Sequence, residues 1–429
     1  MRENELSNVQ HLKSNIPIKN MIKKLFIFSV FILTSFSVFS QQNLIEKIMS
    51  DKPELFGDIL KNPEKFEVQI IYTQINRDAK NKPSFNTFKY RIDKSHYFYP
   101  ASTVKFPAVL LALEKMNKIS KLNISTTMLT DSAFGRQEIV HTDTSSASGL
   151  PSIGHYSKKI LLVSDNDAFN RLYEFIGQKA FNDQLKAKGY LDTRILHRLS
   201  YLMTIEQNRY TNPIRFVEAN NLIYSQPQQY NPDDLVPKIP IAKGIGYMKG
   251  DKLVSEPFDF TSKNAFPLED QHEILKAVLF PEAVPKQKRF NLTPDQYKFV
   301  YQYMSQLPSE STYPRYDSTF YDGFCKFTMF GDSKKPMPKH IRVFNKVGDA
   351  YGFLLDNAYV ADFKEGVEFM LTAVMYCNAD QVFNDDKYDY DSVGFPFFGN
   401  LGRTIYDFEK SRKKVFKPNL KKFKLKYDR

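Results

Sequence analysis

Apolar residues at 43–60 recur at helical spacing, with Pro53 interrupting the pattern. Two runs of strand character follow, at 66–73 and 85–92, and the polar stretch 76–84 between them predicts a hairpin. After Pro100-Ala101-Ser102 the helical period returns through Val109, Leu110, Leu113 and Met116. Residues 120–220 read as mostly helical with polar breaks. Within them 160–163 and 169–176 bracket a Ser-Asp-Asn element, and Gly177 is a natural helix stop. The stretch 221–335 is rich in Pro, Tyr and polar residues; it predicts a hairpin around Lys249-Gly250-Asp251-Lys252 and a helix over Leu268–Leu279. Strand character resumes at 341–346, 353–362 and 367–376, with turns near Gly348 and Gly352 and at Glu365-Gly366, and a last helix includes 405–408. Strands, then helices, then strands predict an α/β (α+β) fold of two subdomains: one antiparallel sheet flanked by helices, with a helical subdomain inserted.

The 429 residues are 42% hydrophobic, enough for a large core. The net charge of +12 sits at the ends. Residues 1–40 hold five Lys or Arg against two Glu, and residues 410–429 hold ten against Asp428, which leaves 41–409 neutral. A neutral body argues against nucleic acid as a partner.

Residues 21–40 read as a secretory signal: Lys23 and Lys24, an apolar stretch over 25–39, and Val38-Phe39-Ser40 before Gln41. The run is shorter than the ~20 apolar residues of a span and contains Ser29, Thr34, Ser35 and Ser37. Residues 1–20 are then an upstream extension, with translation expected to start at Met21. No Cys follows the signal, so a periplasmic or secreted protein without a lipid anchor is expected, as a monomer. Cys325 and Cys377 could pair in an oxidising compartment, but two separate buried thiols are the simpler expectation. The basic tail, 410–429, fits either contact with an anionic envelope surface or a solvated, frayed end, and the second is simpler.

Three short elements carry the chemistry: Ser102-x-x-Lys105, Ser164-Asp165-Asn166 and Lys346-Val347-Gly348. Ser102 and Lys105, three residues apart at a helix start, share a face. Burial and a nearby second cation would favour a neutral lysine able to take the serine proton. Each element also has a plain structural explanation. Ser102 suits a helix cap, Ser-Asp-Asn suits a turn between helices, and a lysine at a strand end is ordinarily solvated. Their conjunction in this order, with the two serines 62 positions apart, favours the chemical reading. In that reading Ser102, Lys105, Ser164 and Lys346 are catalytic. Asn166, Gly348 and Asp349 bind substrate, Gly348 by letting a substrate backbone approach the strand.

The chain resembles the serine β-lactamase and penicillin-binding-protein superfamily, nearest its class A β-lactamase-like branch. The resemblance rests on Pro100-Ala101-Ser102-Thr103-Val104-Lys105, the Ser-Asp-Asn element, and Lys346-Val347-Gly348 followed by Gly352 and Asp356-Asn357-Ala358. It covers most of 43–410 and implies a domain over 41–409, helical over about 110–220, with extra material over about 221–335. It also implies a Ser102 nucleophile, Lys105 as its base partner, and an oxyanion hole of the Ser102 and Asp349 N–H groups.

Two positions depart from that pattern. The family usually carries Thr or Ser in the middle of its third motif, where the hydroxyl helps bind a substrate carboxylate; this chain has Val347, followed by Asp349. The glutamate that activates the deacylating water in class A enzymes aligns near Leu199 or Ser200, and Glu206, with Asn208 nearby, is the nearest acid. The expected function is an envelope serine hydrolase acting on a β-lactam, peptide amide or ester. The alternative is a non-catalytic binder of cell-wall peptide or glycan on the same fold. No cofactor or metal is expected. The seven histidines lack metal-ligand spacing, His141-x-Asp143 reads as a surface pair, and no Gly-rich phosphate loop precedes a helix.

Overall fold

Two short helices, α1 (Leu44–Ser50) and α2 (Pro53–Lys61), open the part of the chain that the computed structural model describes, residues 43–219 and 221–429. The extension expected at 1–20 and the signal expected at 21–40 lie outside the described residues. Pro53 starts α2 at a position whose missing N–H has no helical partner to lose. Strands β1 (Gln69–Arg77) and β2 (Pro83–Tyr90) form the expected hairpin, and a short turn over 78–82 replaces the longer polar link. Helices α3 (Lys105–Asn117), α4 (Ile153–Val163), α5 (Asn166–Ile176) and α6 (Gln178–Ala187) follow. Then come α7 (Leu268–Leu279), α8 (Pro294–Ser305), β3 (Ile341–Ala350), β4 (Phe353–Asp362), β5 (Val367–Tyr376) and α9 (Phe395–Ser411).

The five strands make one antiparallel sheet in the order β3-β4-β5-β1-β2, uniting the two strand groups as expected. β4 and β5 are buried along their whole length, because α1, α2 and α9 cover one face and α7 packs on the other. That double covering explains why these strands read as continuous apolar runs rather than alternating ones. His272 of α7 ties the helix to the sheet: its Nε2 lies 2.8 Å from Thr73 Oγ1 and its Nδ1 2.8 Å from Thr372 Oγ1. Burial pushes its pKa down to about 4, so the neutral ring offers one donor and one acceptor, matching two hydroxyls.

Three expectations change. Helix is scarcer in 120–220 than the pattern predicts. Residues 141–152, with Thr144-Ser145-Ser146 and Ser148-Gly149-Leu150-Pro151, form turns, since these side chains compete with helical backbone hydrogen bonds. Thr127–Thr130 is instead a strand, paired in a small sheet with Ile214–Glu218 and Asn221–Gln226. The material at 221–335 is not simply an appendage, because α7 within it is part of the central core.

The tail is docked rather than frayed. Phe423 is buried among Phe280, Tyr301, Phe344 and Tyr359, with ring centroids 4.9–5.8 Å apart. Leu425 and Tyr427 face inward while Lys424 and Lys426 face solvent, so the Lys-aromatic alternation is an extended segment with one dry side. Arg342 stacks 4.1 Å from the Tyr427 ring centroid. Phe423→Ala is expected to cost about 3–5 kcal/mol of stability; a denaturation midpoint equal to wild type would refute the docked tail. Among the described residues no helix is long and apolar enough to cross a membrane.

Candidate active site

Ser102 lies in a 3₁₀ turn, Ala101–Val104, that runs directly into α3. Ala101 just before it has φ +46°, a left-handed conformation that side-chain-bearing residues rarely adopt. That kink sets half-buried Ser102 at the edge of a cleft, while Lys105, the first residue of α3, is wholly buried beneath it. On the opposite wall, Ser164 caps the C-terminus of α4 with φ +63°, and the Asp165 carboxylate caps α5 by accepting the Ala168 N–H at 2.8 Å. The turn between helices is real and serves as the support on which Ser164 and Asn166 are presented.

The four catalytic candidates converge. Lys105 Nζ lies 2.8 Å from Ser102 Oγ and 2.7 Å from Asn166 Oδ1; it also donates to the Ser164 carbonyl, with Ser164 Oγ at 3.3 Å. Lys346 Nζ, from β3, donates to Ser164 Oγ and to the Val347 carbonyl, both at 2.8 Å. Burial, followed by the charge of Lys346, holds the Lys105 amine well below the ordinary lysine range. The partner set accommodates a neutral amine as well as an ammonium. The Ser164 carbonyl and Asn166 Oδ1 can only accept, so in the neutral form they would take both N–H bonds and leave the lone pair for the Ser102 hydroxyl. Burial brings Lys346 down to about 8, so near neutral pH it remains mostly cationic.

β3 is the edge strand of the sheet, and its hairpin geometry orients the Asp349 N–H, the oxyanion donor expected from the resemblance. The turn residues Tyr351 and Gly352 both have positive φ, and Ala350 pairs with Phe353 across them. A two-residue turn of this type makes the flanking pair hydrogen-bonded. Asp349, opposite Leu354, is then a non-hydrogen-bonded position whose N–H points off the free edge. The space beside Gly348 gives this glycine a role other than the expected approach of substrate. A Cβ there would lie 2.9 Å from the Pro100 carbonyl oxygen, 3.0 Å from the Ser102 nitrogen and 3.1 Å from the Thr103 nitrogen. Gly348 therefore lets β3 press against the nucleophile turn itself.

The cleft above these groups has a volume of about 690 Å³ and is lined in part by Ser102, Ser164, Asn166, Ser200, Val347 and Asp349. Glu206 is not among its lining residues. It is exposed on a one-turn helix, Ile205–Asn208, and pairs with Arg209 at 3.2 Å, which corrects its reading as a deacylation base. The expected His141–Asp143 pair is likewise replaced: His141 bonds Asp131 at 2.8 Å, and Asp143 faces His155 and Lys159. Cys325 lines the cleft as a buried free thiol pushed up to about 11 by burial, and Cys377 is a second, separate one.

Ser200 lines the cleft and is held there by supports that motif reading passed over. Ser200 has φ +49°, and its Oγ accepts from Asn166 Nδ2 at 2.9 Å. Asn166, Asn170 and Glu174 recur every four residues on α5 and hold 198–200 in reverse order. Asn170 makes paired bonds to the Leu199 backbone at 2.8 and 3.0 Å, and Glu174 accepts from buried Arg198 at 2.8 Å. The available signal was that polar stripe, placed on a helix otherwise full of buried apolar residues.

The antiparallel sheet and its flanking helices form a β-lactamase-like fold. Residues 58–235, about two fifths of the chain, match the model of the beta-lactamase enzyme family. The match supports a β-lactamase-like hydrolase. Among solved structures, a beta lactamase from Xanthomonas campestris aligns at 14% identity, covering 85% of this chain and 98% of its own, with a TM-score of 0.48. A beta-lactamase from Sphaerobacter thermophilus aligns at 12% identity over 83% of this chain and 96% of its own, with a TM-score of 0.45. No curated protein matches the chain.

Proposed function

We propose that the protein is a cell-envelope serine hydrolase that opens a β-lactam, a peptide amide or an ester through a Ser102 acyl-enzyme. The observation that carries this reading is the Lys105 amine, buried and 2.8 Å from Ser102 Oγ, with its two N–H bonds committed elsewhere. Lys105 takes the hydroxyl proton as Oγ attacks the carbonyl carbon. The N–H groups of Ser102 and Asp349 hold the resulting oxyanion. As the bond from the carbonyl carbon to the leaving group breaks, Ser164, backed by the Lys346 ammonium, gives its proton to the departing nitrogen or oxygen and takes the Ser102 proton from Lys105, and water later releases the acyl group from Ser102. A pure binding protein would have no use for a lysine amine buried against a serine hydroxyl, since desolvating that amine is unfavourable to folding. The 62-residue spacing of the two serines supports the class A-like branch. The signal expected at 21–40 supports an envelope location.

The test is intact mass after exposure to a reporter penicillin and to an activated ester. A single adduct that disappears in Ser102→Ala is expected. No adduct with either probe, or an adduct that persists in Ser102→Ala, overturns the reading.

A further inference from the structure

The walls of the Ser102 cleft carry a charge pattern that acylation itself does not use. The lining residues include two acids, Asp349 and Asp386, and no Lys, Arg or His. Neither carboxylate has a hydrogen-bond or ion-pair partner among the described residues, and both are exposed. Asp349 follows Val347 by two on β3, so the two side chains leave the strand on one face, and both reach the cleft. That face therefore offers a carboxylate ligand a methyl surface and a negative charge. Asp386 arrives independently, from the segment after β5, at a backbone position with φ +58°. Tyrosines 99, 351 and 388 line the same cleft, with the rings of Tyr99 and Tyr351 edge-on at 5.0 Å. The buried Lys346 ammonium, engaged with Ser164 and the Val347 carbonyl, acts on Asp349 and offsets part of its charge, which leaves two carboxylates against one cation.

Unpaired carboxylates attract an organic cation and repel an anion, and the tyrosines in the same lining add surface for its organic part. We propose that the acyl donor for Ser102 carries an ammonium-type positive charge, held by Asp349 and Asp386 against the tyrosines. This rests on the reading of the cleft as the substrate site and specifies the substrate class within it. It also gives Val347 a reason: no substrate carboxylate asks for a hydroxyl there.

The experiment uses the Ser102→Ala protein, which cannot form an acyl-enzyme, so its outcome does not depend on turnover. Binding of benzyltrimethylammonium and of phenylacetate is measured by ligand-observed NMR titration. The ammonium probe is expected to bind about tenfold tighter or more. In Ser102→Ala with Asp349→Asn and Asp386→Asn the preference should fall to about threefold or less. Asn tolerates the left-handed backbone at 386, and matched thermal midpoints check that this variant is folded. Equal or tighter binding of phenylacetate, failure of the ammonium probe to bind, or a preference unchanged by the double Asn substitution overturns the proposal. Failure of the acylation reading shows separately, as the missing adduct on wild-type Ser102.

Discussion

Lys105→Met is expected to slow acylation of Ser102 by an activated ester by about 10³-fold. The substitution keeps the length and apolar stem of the side chain, so α3 retains its packing while the base is lost. Ser102 remains half-buried at the same edge, yet its hydroxyl keeps no partner able to take its proton. The nearest alternative amine, Lys346, is turned toward Ser164 at 2.8 Å and is mostly charged near neutral pH. The Ser164 carbonyl and Asn166 Oδ1 lose their donor, at about 1–3 kcal/mol each. Part of that is offset because a buried amine no longer needs to be desolvated. Circular dichroism and the thermal midpoint separate the chemical loss from unfolding. A folded Lys105→Met protein acylating within tenfold of wild type would remove Lys105 from the mechanism.

Gly348→Ala is the second large effect, and it acts without touching a functional side chain. The added methyl would sit 2.9–3.1 Å from three backbone atoms of the nucleophile turn, none of which can swing aside as a side chain could. Either β3 or the turn must retreat by several tenths of an ångström. The distance that changes is the one between the two oxyanion donors, the N–H of Ser102 and that of Asp349. Misplacement on this scale is expected to cost about 10²-fold in acylation, with about 1–3 kcal/mol of stability lost to the overpacking. Single-turnover acylation rates make the comparison, and a rate within threefold of wild type would show that the contact is not needed.

The parts of this arrangement visible in the sequence are those whose chemistry and spacing are local. Ser102 and Lys105 sit one helical turn apart, Ser164 and Asn166 adjoin one helix junction, and the buried strands β4 and β5 announce themselves as apolar runs. What could not be read depends on which surfaces meet. Gly348 looked like a place for substrate because nothing local reveals that residues 100–103 already fill the space. Ser200 looked like a missing acid. Its left-handed backbone and its bond to Asn166 exist only once α5 clamps the loop through Asn170 and Glu174. The tail's alternation was legible, but the ring cluster of Phe280, Tyr301, Phe344 and Tyr359 that receives it is drawn from four distant segments.

The sheet order has a consequence for how the molecule comes to be. β1 lies between β2 and β5, and Ile71 pairs with Thr372, roughly 300 residues further along the chain. As the polypeptide is made, the β1–β2 hairpin emerges early with one apolar edge open and waits for most of the remaining chain before its partner exists. Such distant pairings fold slowly, and the waiting edge can pair with other chains. Conditions that hold the early hairpin apart from its neighbours should therefore govern the yield of folded protein more than the final stability does.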